Sequence, residues 1–295
     1  MTSSAAFEME FRGRRLVRDR ALIMAIINRT PDSFYDNGAT FADTAAQEGI
    51  HQAVAEGADL IDIGGVPASP GPEVEAGEEV RRVVPIIEWA RDAYPELVIS
   101  IDTWSAEVAD AACRAGADVV NHSWSTVAPE LAEVAAKYGA GYICTHTGVT
   151  EPRKRAFPVH YDDVVATVLE DLTRRARHAE AIGVPREGIV IDPTVGVRYG
   201  KDTEQSLALV RNVRAFVDTG WPVLMAVSHK GFIGETLDAD VPDRLAGTLA
   251  TTAFAAAEGA AMFRAHQVLE TRHTAEMIAS ITGARSASRP GRWSA

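Results

Sequence analysis

Short apolar runs and segments of helical period alternate eight times along this chain. The runs cover residues 22–27, 60–64, 98–101, 118–120, 141–144, 189–191, 223–227 and 262–264. Each is nearly continuous in apolar side chains, the pattern of a strand covered on both faces. Between them lie helical segments such as 44–56, 78–93 and 106–115. Gly57, Gly116, Gly139, Gly183 and Gly259 stand where a helix should stop before the next strand. Strand-then-helix repetition implies parallel strands joined by right-handed crossovers. Eight units predict a TIM (β/α)8 barrel rather than an open doubly wound sheet, because polar, chemically capable residues follow almost every run. Ahead of the first run, Phe7, Met9 and Phe11 alternate with polar residues before Gly13. That predicts a strand or hairpin capping the barrel floor.

A barrel of this kind uses about 250 residues as one unit. The 295-residue chain is therefore read as one domain over 1–282, followed by a Ser/Arg/Pro/Gly-rich disordered tail over 283–295. A net charge of −12 argues against a nucleic-acid partner or an anionic membrane surface, so an anionic ligand would need a local basic patch. No run of about eighteen apolar residues is present, and residues 1–20 lack the apolar core of a signal peptide. Cys113 and Cys144 form neither a disulfide framework nor a metal-site spacing. These features lead us to expect a cytoplasmic protein.

The residues after each run carry the chemistry. The first is followed by Asn28-Arg29-Thr30-Pro31-Asp32-Ser33-Phe34, the second by Gly65-Val66-Pro67-Ala68-Ser69-Pro70-Gly71. The third ends in Asp102-Thr103, the fourth in Asn121-His122, and the fifth leads to His146. The sixth supplies Asp192-Pro193 with Lys201 further on, the seventh Ser228-His229-Lys230, and the eighth Arg264-Ala265-His266. Parallel strands point all of these into one mouth. Carboxylates and an amide suit a flat heterocycle with several N–H donors, and Lys230, Arg264 and His266 suit a phosphate at the last two strands. Singly, each has a plainer role: Asp102 as a helix N-cap, Asn121 as a turn former, Arg264 as an ion-pair partner, His146 as a core histidine.

Taken together, these residues resemble dihydropteroate synthase from about residue 22 to residue 281. Asn28-Arg29-Thr30-Pro31-Asp32-Ser33-Phe34 is similar to the family's Asn-Val-Thr-Pro-Asp-Ser-Phe loop. Asp62-Ile63-Gly64-Gly65, Ile101-Asp102-Thr103, Asp192-Pro193, Lys230 and Arg264-Ala265-His266 fall in the family's order. The resemblance implies condensation of 6-hydroxymethyl-7,8-dihydropterin diphosphate with 4-aminobenzoate to give dihydropteroate, assisted by Mg²⁺, in a homodimer. It implies that Asp102, Asn121, Asp192 and Lys230 bind the pterin and that Asn28 meets the metal. Arg264 and His266 would take the diphosphate, and Lys230, Arg264 and His266 would form the catalytic set.

The chain also departs from that pattern. The family's Ser-Thr-Arg-Pro-Gly second loop is Pro67-Ala68-Ser69-Pro70-Gly71 here, without the hydroxyl and the cation. Ser-Arg-Lys-Ser is Ser228-His229-Lys230-Gly231, Asn-Asp is Asn121-His122, and Arg-Val-His-Asp is Arg264-Ala265-His266-Gln267. The sixth loop, Asp192 to Lys201, carries extra residues. Arg29, Arg198 and His229 are candidate replacement cations, with Arg29 assigned to the diphosphate and Arg198 read as a solvated surface residue. Two functions follow: a dihydropteroate synthase of reduced activity, or a non-catalytic or repurposed pterin-binding paralogue. A barrel methyltransferase acting on a methylated folate would have no need of Lys230 with Arg264 and His266.

Overall fold

The computed structural model describes residues 7–30, 42–148 and 150–288. Strands β1 (Phe7–Phe11) and β2 (Arg14–Arg18) form an antiparallel hairpin. The remaining strands are β3 (Leu22–Asn28), β4 (Leu60–Gly64), β5 (Val98–Thr103), β6 (Val119–His122), β7 (Gly141–Thr145), β8 (Ile189–Asp192), β9 (Leu224–Met225) and β10 (Met262–Ala265). All eight are parallel, in the order β8-β7-β6-β5-β4-β3-β10-β9. The ring closes between its outer members through a parallel bridge from Ile191 to Val223, with the Ile191 N–H donating to Pro222 O at 2.9 Å. This is the expected barrel.

Helices α1 (Asp43–Ala55), α2 (Ala76–Ala93), α3 (Ala106–Ala115), α4 (Leu131–Tyr138), α5 (Val164–Ala181), α6 (Thr203–Arg211), α7 (Val213–Val217), α8 (Gly231–Leu237), α9 (Leu245–Ala257) and α10 (Val268–Ile281) lie in the connections. The five expected helix stops, Gly57, Gly116, Gly139, Gly183 and Gly259, all have positive φ.

Alternation along each strand divides the core in two. Outward residues such as Ile23, Ile61, Ile99 and Ile191 join the helices in one cluster. Inward residues Leu22, Met24, Leu60, Val98, Val119, Ile143, Val190, Leu224 and Met262 fill the lower barrel with Met9, Phe11 and Leu16 of the hairpin. The hairpin therefore plugs the floor. Gly141 permits its close approach, since a Cβ there would lie 2.4 Å from Phe11 Cδ1 and 2.9 Å from Gly188 O.

One expectation is corrected. The seventh strand is two residues long rather than 223–227, because the chain turns after it, with the Lys230 N–H donating to Val227 O at 3.2 Å. At the start of the tail, Arg285 donates to Asp19 at 2.9 Å. Residues 31–41 of the first loop, and 289–295 of the tail, lie outside the described residues.

Candidate active site in the barrel mouth

Above the apolar plug, the inward positions become polar. Asp62 of β4 is fully buried and accepts from Ser100 Oγ (2.6 Å), Asn121 Nδ2 (3.0 Å) and Arg264 Nε (2.6 Å). Arg264 also donates from a terminal nitrogen to Asp102 Oδ2 at 2.8 Å. Four strands are thereby tied by one charged network. Burial opposes charge on Arg264, but the Asp62 and Asp102 carboxylates outweigh it and hold its pKa above the ordinary value. Asp102 is not an N-cap, since Ser105 caps α3 by accepting from the Val108 N–H. Burial pushes the Asp102 carboxyl up to about 6, with Arg264 opposing. Asp62 lies within its strand rather than after it, so the strand-end pattern does not single it out. Its signal was an ionisable side chain at an inward position of a continuous apolar strand, which requires a buried partner.

A cavity of about 550 Å³ opens over this network. Asn28, Asp102, Lys230, Arg264 and His266 line it, so five of the expected site residues converge. Asn121 and Asp192 are buried and do not line it. Asp192 accepts from the Thr194 N–H at 2.7 Å, and burial raises its pKa against the pull of that bond and of Lys230. Burial lowers Lys230 to about 8, with Asp192 opposing. Its ammonium sits 4.5 Å from the Tyr199 ring centroid. His266 Nδ1 lies 2.9 Å from Ser228 Oγ, and burial with the Arg264 charge holds its pKa well below the ordinary range. At neutral pH it is an uncharged imidazole. Of the three expected cations, His266 is thus neutral, and Arg264 is bound to two carboxylates, so the predicted positive cluster is weaker than the residue types suggest.

The chain matches the model for pterin binding enzymes over residues 24–266. It belongs to that family. It is 55% identical over 281 residues to a Mycobacterium tuberculosis protein named inactive dihydropteroate synthase 2, spanning 94% of this chain and 88% of the relative. A dihydropteroate synthase of Clostridium beijerinckii is 36% identical, over 88% of this chain and 94% of that one. The structure of a Coxiella burnetii dihydropteroate synthase in complex with pteroic acid matches with a TM-score of 0.82 and 27% identity, over 95% of this chain and all of that one.

The positions that depart from the dihydropteroate synthase pattern make specific contacts. Arg153, buried and with φ of 61°, donates to Pro67 O (2.9 Å) and Pro72 O (3.0 Å) and also to Ser69 O, while the Gly71 N–H donates to Arg153 O (3.1 Å). The segment after β7 thereby holds the second loop. Two further departures touch each other: His229 Nε2 lies 2.7 Å from Gln267 Oε1, where the family motifs carry arginine and aspartate. His122 is a core residue, 2.6 Å from the Tyr142 hydroxyl, and burial lowers its pKa to about 4.

The candidate replacement cations separate. Arg29, expected at the diphosphate, is buried, donates to Arg82 O at 2.9 Å and pairs with Asp43; it does not line the cavity. Its guanidinium is drawn to the start of α1. Arg198, read as solvated, is half-buried and lines the cavity. Its charge acts on Lys230. The extra residues of the sixth loop put it there, and strand-end reading alone does not see across the mouth.

Proposed function

We propose that this protein binds a reduced pterin in the barrel mouth and has lost efficient dihydropteroate synthesis. The carrying observation is the contrast between an intact Asp62–Asp102–Arg264 network and a second loop without its hydroxyl and cation. Asp102 and Asp192 supply acceptors for ring N–H groups, and Lys230 supplies a donor. Ionisation of the pterin diphosphate needs cations at the departing pyrophosphate, and one missing donor at developing charge costs about 10²–10³ in rate. Loss of hydroxyls at Ala68 and Gly231 removes partners for the carboxylate of 4-aminobenzoate. The relatives named inactive support the same reading.

A Mg²⁺ ion would be held by the Asn28 side-chain oxygen together with diphosphate oxygens and water. Thr30 Oγ1, buried, lining the same cavity and without a hydrogen-bond partner among the described residues, is a second oxygen that fits. When bound, the ion would neutralise charge on the leaving group. No described helix is long and apolar enough to cross a membrane, and both cysteines are free, which supports a cytoplasmic setting. The α9–α10 face supports a homodimer: Leu249, Ala253, Met277 and Ile278 line one groove, and Met277 is 59% exposed. Sedimentation velocity would show a single monomeric species if that face has no partner.

One observation favours a second reading, a slow synthase: Arg198 lies in the cavity near Lys230, in position to meet an anion. Calorimetry with 6-hydroxymethylpterin, and steady-state turnover with its dihydro diphosphate and 4-aminobenzoate, separate the two. We expect pterin binding that Asp102→Asn weakens about ten- to a hundredfold. Turnover should fall at least about a hundredfold below that of an intact relative. Turnover within about a hundredfold of an intact relative, abolished by Arg198→Ala, would select the slow-synthase reading with Arg198 as its cation and overturn the first.

A further inference from the structure

A tyrosine of the sixth loop stands in the barrel mouth beside a residue assigned above to the heterocycle. The sixth loop, with its extra residues, makes a 3-10 turn over Val197–Tyr199. The Tyr199 ring packs 5.2 Å from the Trp124 ring, which itself stands edge-on to Trp104 at 5.7 Å. The Lys230 ammonium lies 4.5 Å from the Tyr199 ring centroid. Burial first, and then the Asp102 and Asp192 carboxylates, push the Tyr199 phenol up to about 12 while Arg264 opposes. Three groups that would hold the heterocycle therefore already act on this phenol. Asn121 and Asp192 are 4% and 5% exposed and stay out of the open cavity, whereas Tyr199 lines it.

We propose that Tyr199 is the residue that sets heterocycle affinity in this protein, because its ring fills the heterocycle seat and a flat ligand enters only when that ring leaves. The inference rests on the pterin-binding reading above. The turn is framed by two glycines. Gly196 and Gly200 bracket it with φ of 105° and 76°, and the turn itself is closed by the Tyr199 N–H to Gly196 O and the Gly200 N–H to Val197 O, both 3.0 Å. Swinging the ring outward frees Lys230 from its aromatic contact. A protein whose binding-competent state is a minor one shows affinity reduced by that fraction. Tyr199 would thus favour ligands that repay its displacement with several N–H donors to the two carboxylates, and would exclude flat rings without them.

The test is calorimetry and stopped-flow fluorescence of the full chain with 6-hydroxymethylpterin, comparing the unmodified protein, Tyr199→Phe and Tyr199→Ala. Trp104 and Trp124 report the ring's departure. Tyr199→Ala should tighten binding by about tenfold or more, the factor expected when a closed state outweighs the open one by that ratio. Tyr199→Phe, which keeps the ring, should bind like the unmodified protein. Observed association rates should level off with ligand concentration for the two ring-bearing proteins and rise linearly for Tyr199→Ala. Binding to the unmodified protein that Tyr199→Ala leaves unchanged or weakens would overturn the inference alone, marking Tyr199 as a stacking wall. Binding to none of the three would overturn the pterin reading and this inference together. Far-ultraviolet circular dichroism, with a melting temperature close to that of the unmodified protein, verifies that Tyr199→Ala is folded.

Discussion

Asp62 organises the site without facing the cavity. It is fully buried, and its two oxygens accept from three side chains on three other strands. Removing one member of a buried ion pair leaves an uncompensated charge, which costs about 3–5 kcal/mol. Asp62→Ala should therefore lower unfolding free energy by about that amount in urea titration, and a loss under about 1 kcal/mol would contradict the network. Asp102 and Lys230 carry the pH response of binding. As pH falls through about 6, Asp102 takes a proton and one acceptor for ring N–H groups becomes a donor. As pH rises through about 8, Lys230 loses its charge and most of its strength as a donor. Pterin affinity should pass through a maximum between those values. A profile flat from pH 5 to about 9 would remove both groups from the binding site.

At the level of elements, the site depends on the hairpin beneath it. Phe11 and Met9 fill the lower barrel, so the strand ends above are held at fixed height. Gly141→Ala would drive a methyl group into Phe11 and the Gly188 carbonyl. Overpacking of that kind costs about 1–3 kcal/mol, read as a lower urea midpoint with unchanged m-value. Equal stability would mean that the hairpin yields freely. The loops matter in the opposite sense. Arg153 grips three carbonyls of the second loop and ties that loop to the connection after β7. The sixth loop delivers Arg198 and Tyr199 into the same mouth. Both features come from connections rather than from the strands.

The molecule as a whole keeps the barrel of a pterin-binding enzyme, while the loops at its rim depart from the dihydropteroate synthase pattern. Restoring the rim tests this directly. A Cβ at Gly231 meets nothing within 4 Å, so a serine fits there, and Ala68 and Ser69 both line the cavity. The triple variant Ala68→Thr, Ser69→Arg, Gly231→Ser should raise dihydropteroate formation by about 10²-fold, the worth of a donor set at developing charge. No gain in a folded variant that still binds pterin would show that the block lies elsewhere, with Tyr199 the first place to look.

Periodicity determined a parallel sheet covered on both faces, since each of eight apolar runs of strand length is followed by a helical segment. The polar residues after almost every run then favoured closing that sheet into a barrel over leaving it open. The same logic placed Asp102, Lys230, Arg264 and His266 around one opening, because parallel strands share a direction. It also put Met9 and Phe11 at the floor. What it left open were contacts between residues distant in the chain. Whether Arg29 or Arg198 enters the mouth depends on which carboxylate or carbonyl lies nearest once the helices are packed, and Asp43 claims Arg29. The charge on His266 depends on burial beside Arg264, which residue type does not reveal. Arg153 meets the second loop across more than eighty positions of sequence, and Tyr199 meets Lys230 only because the sixth loop folds inward. Strand order follows from local pattern, whereas side-chain partners across a barrel mouth are settled by the packing of loops that share no local signal.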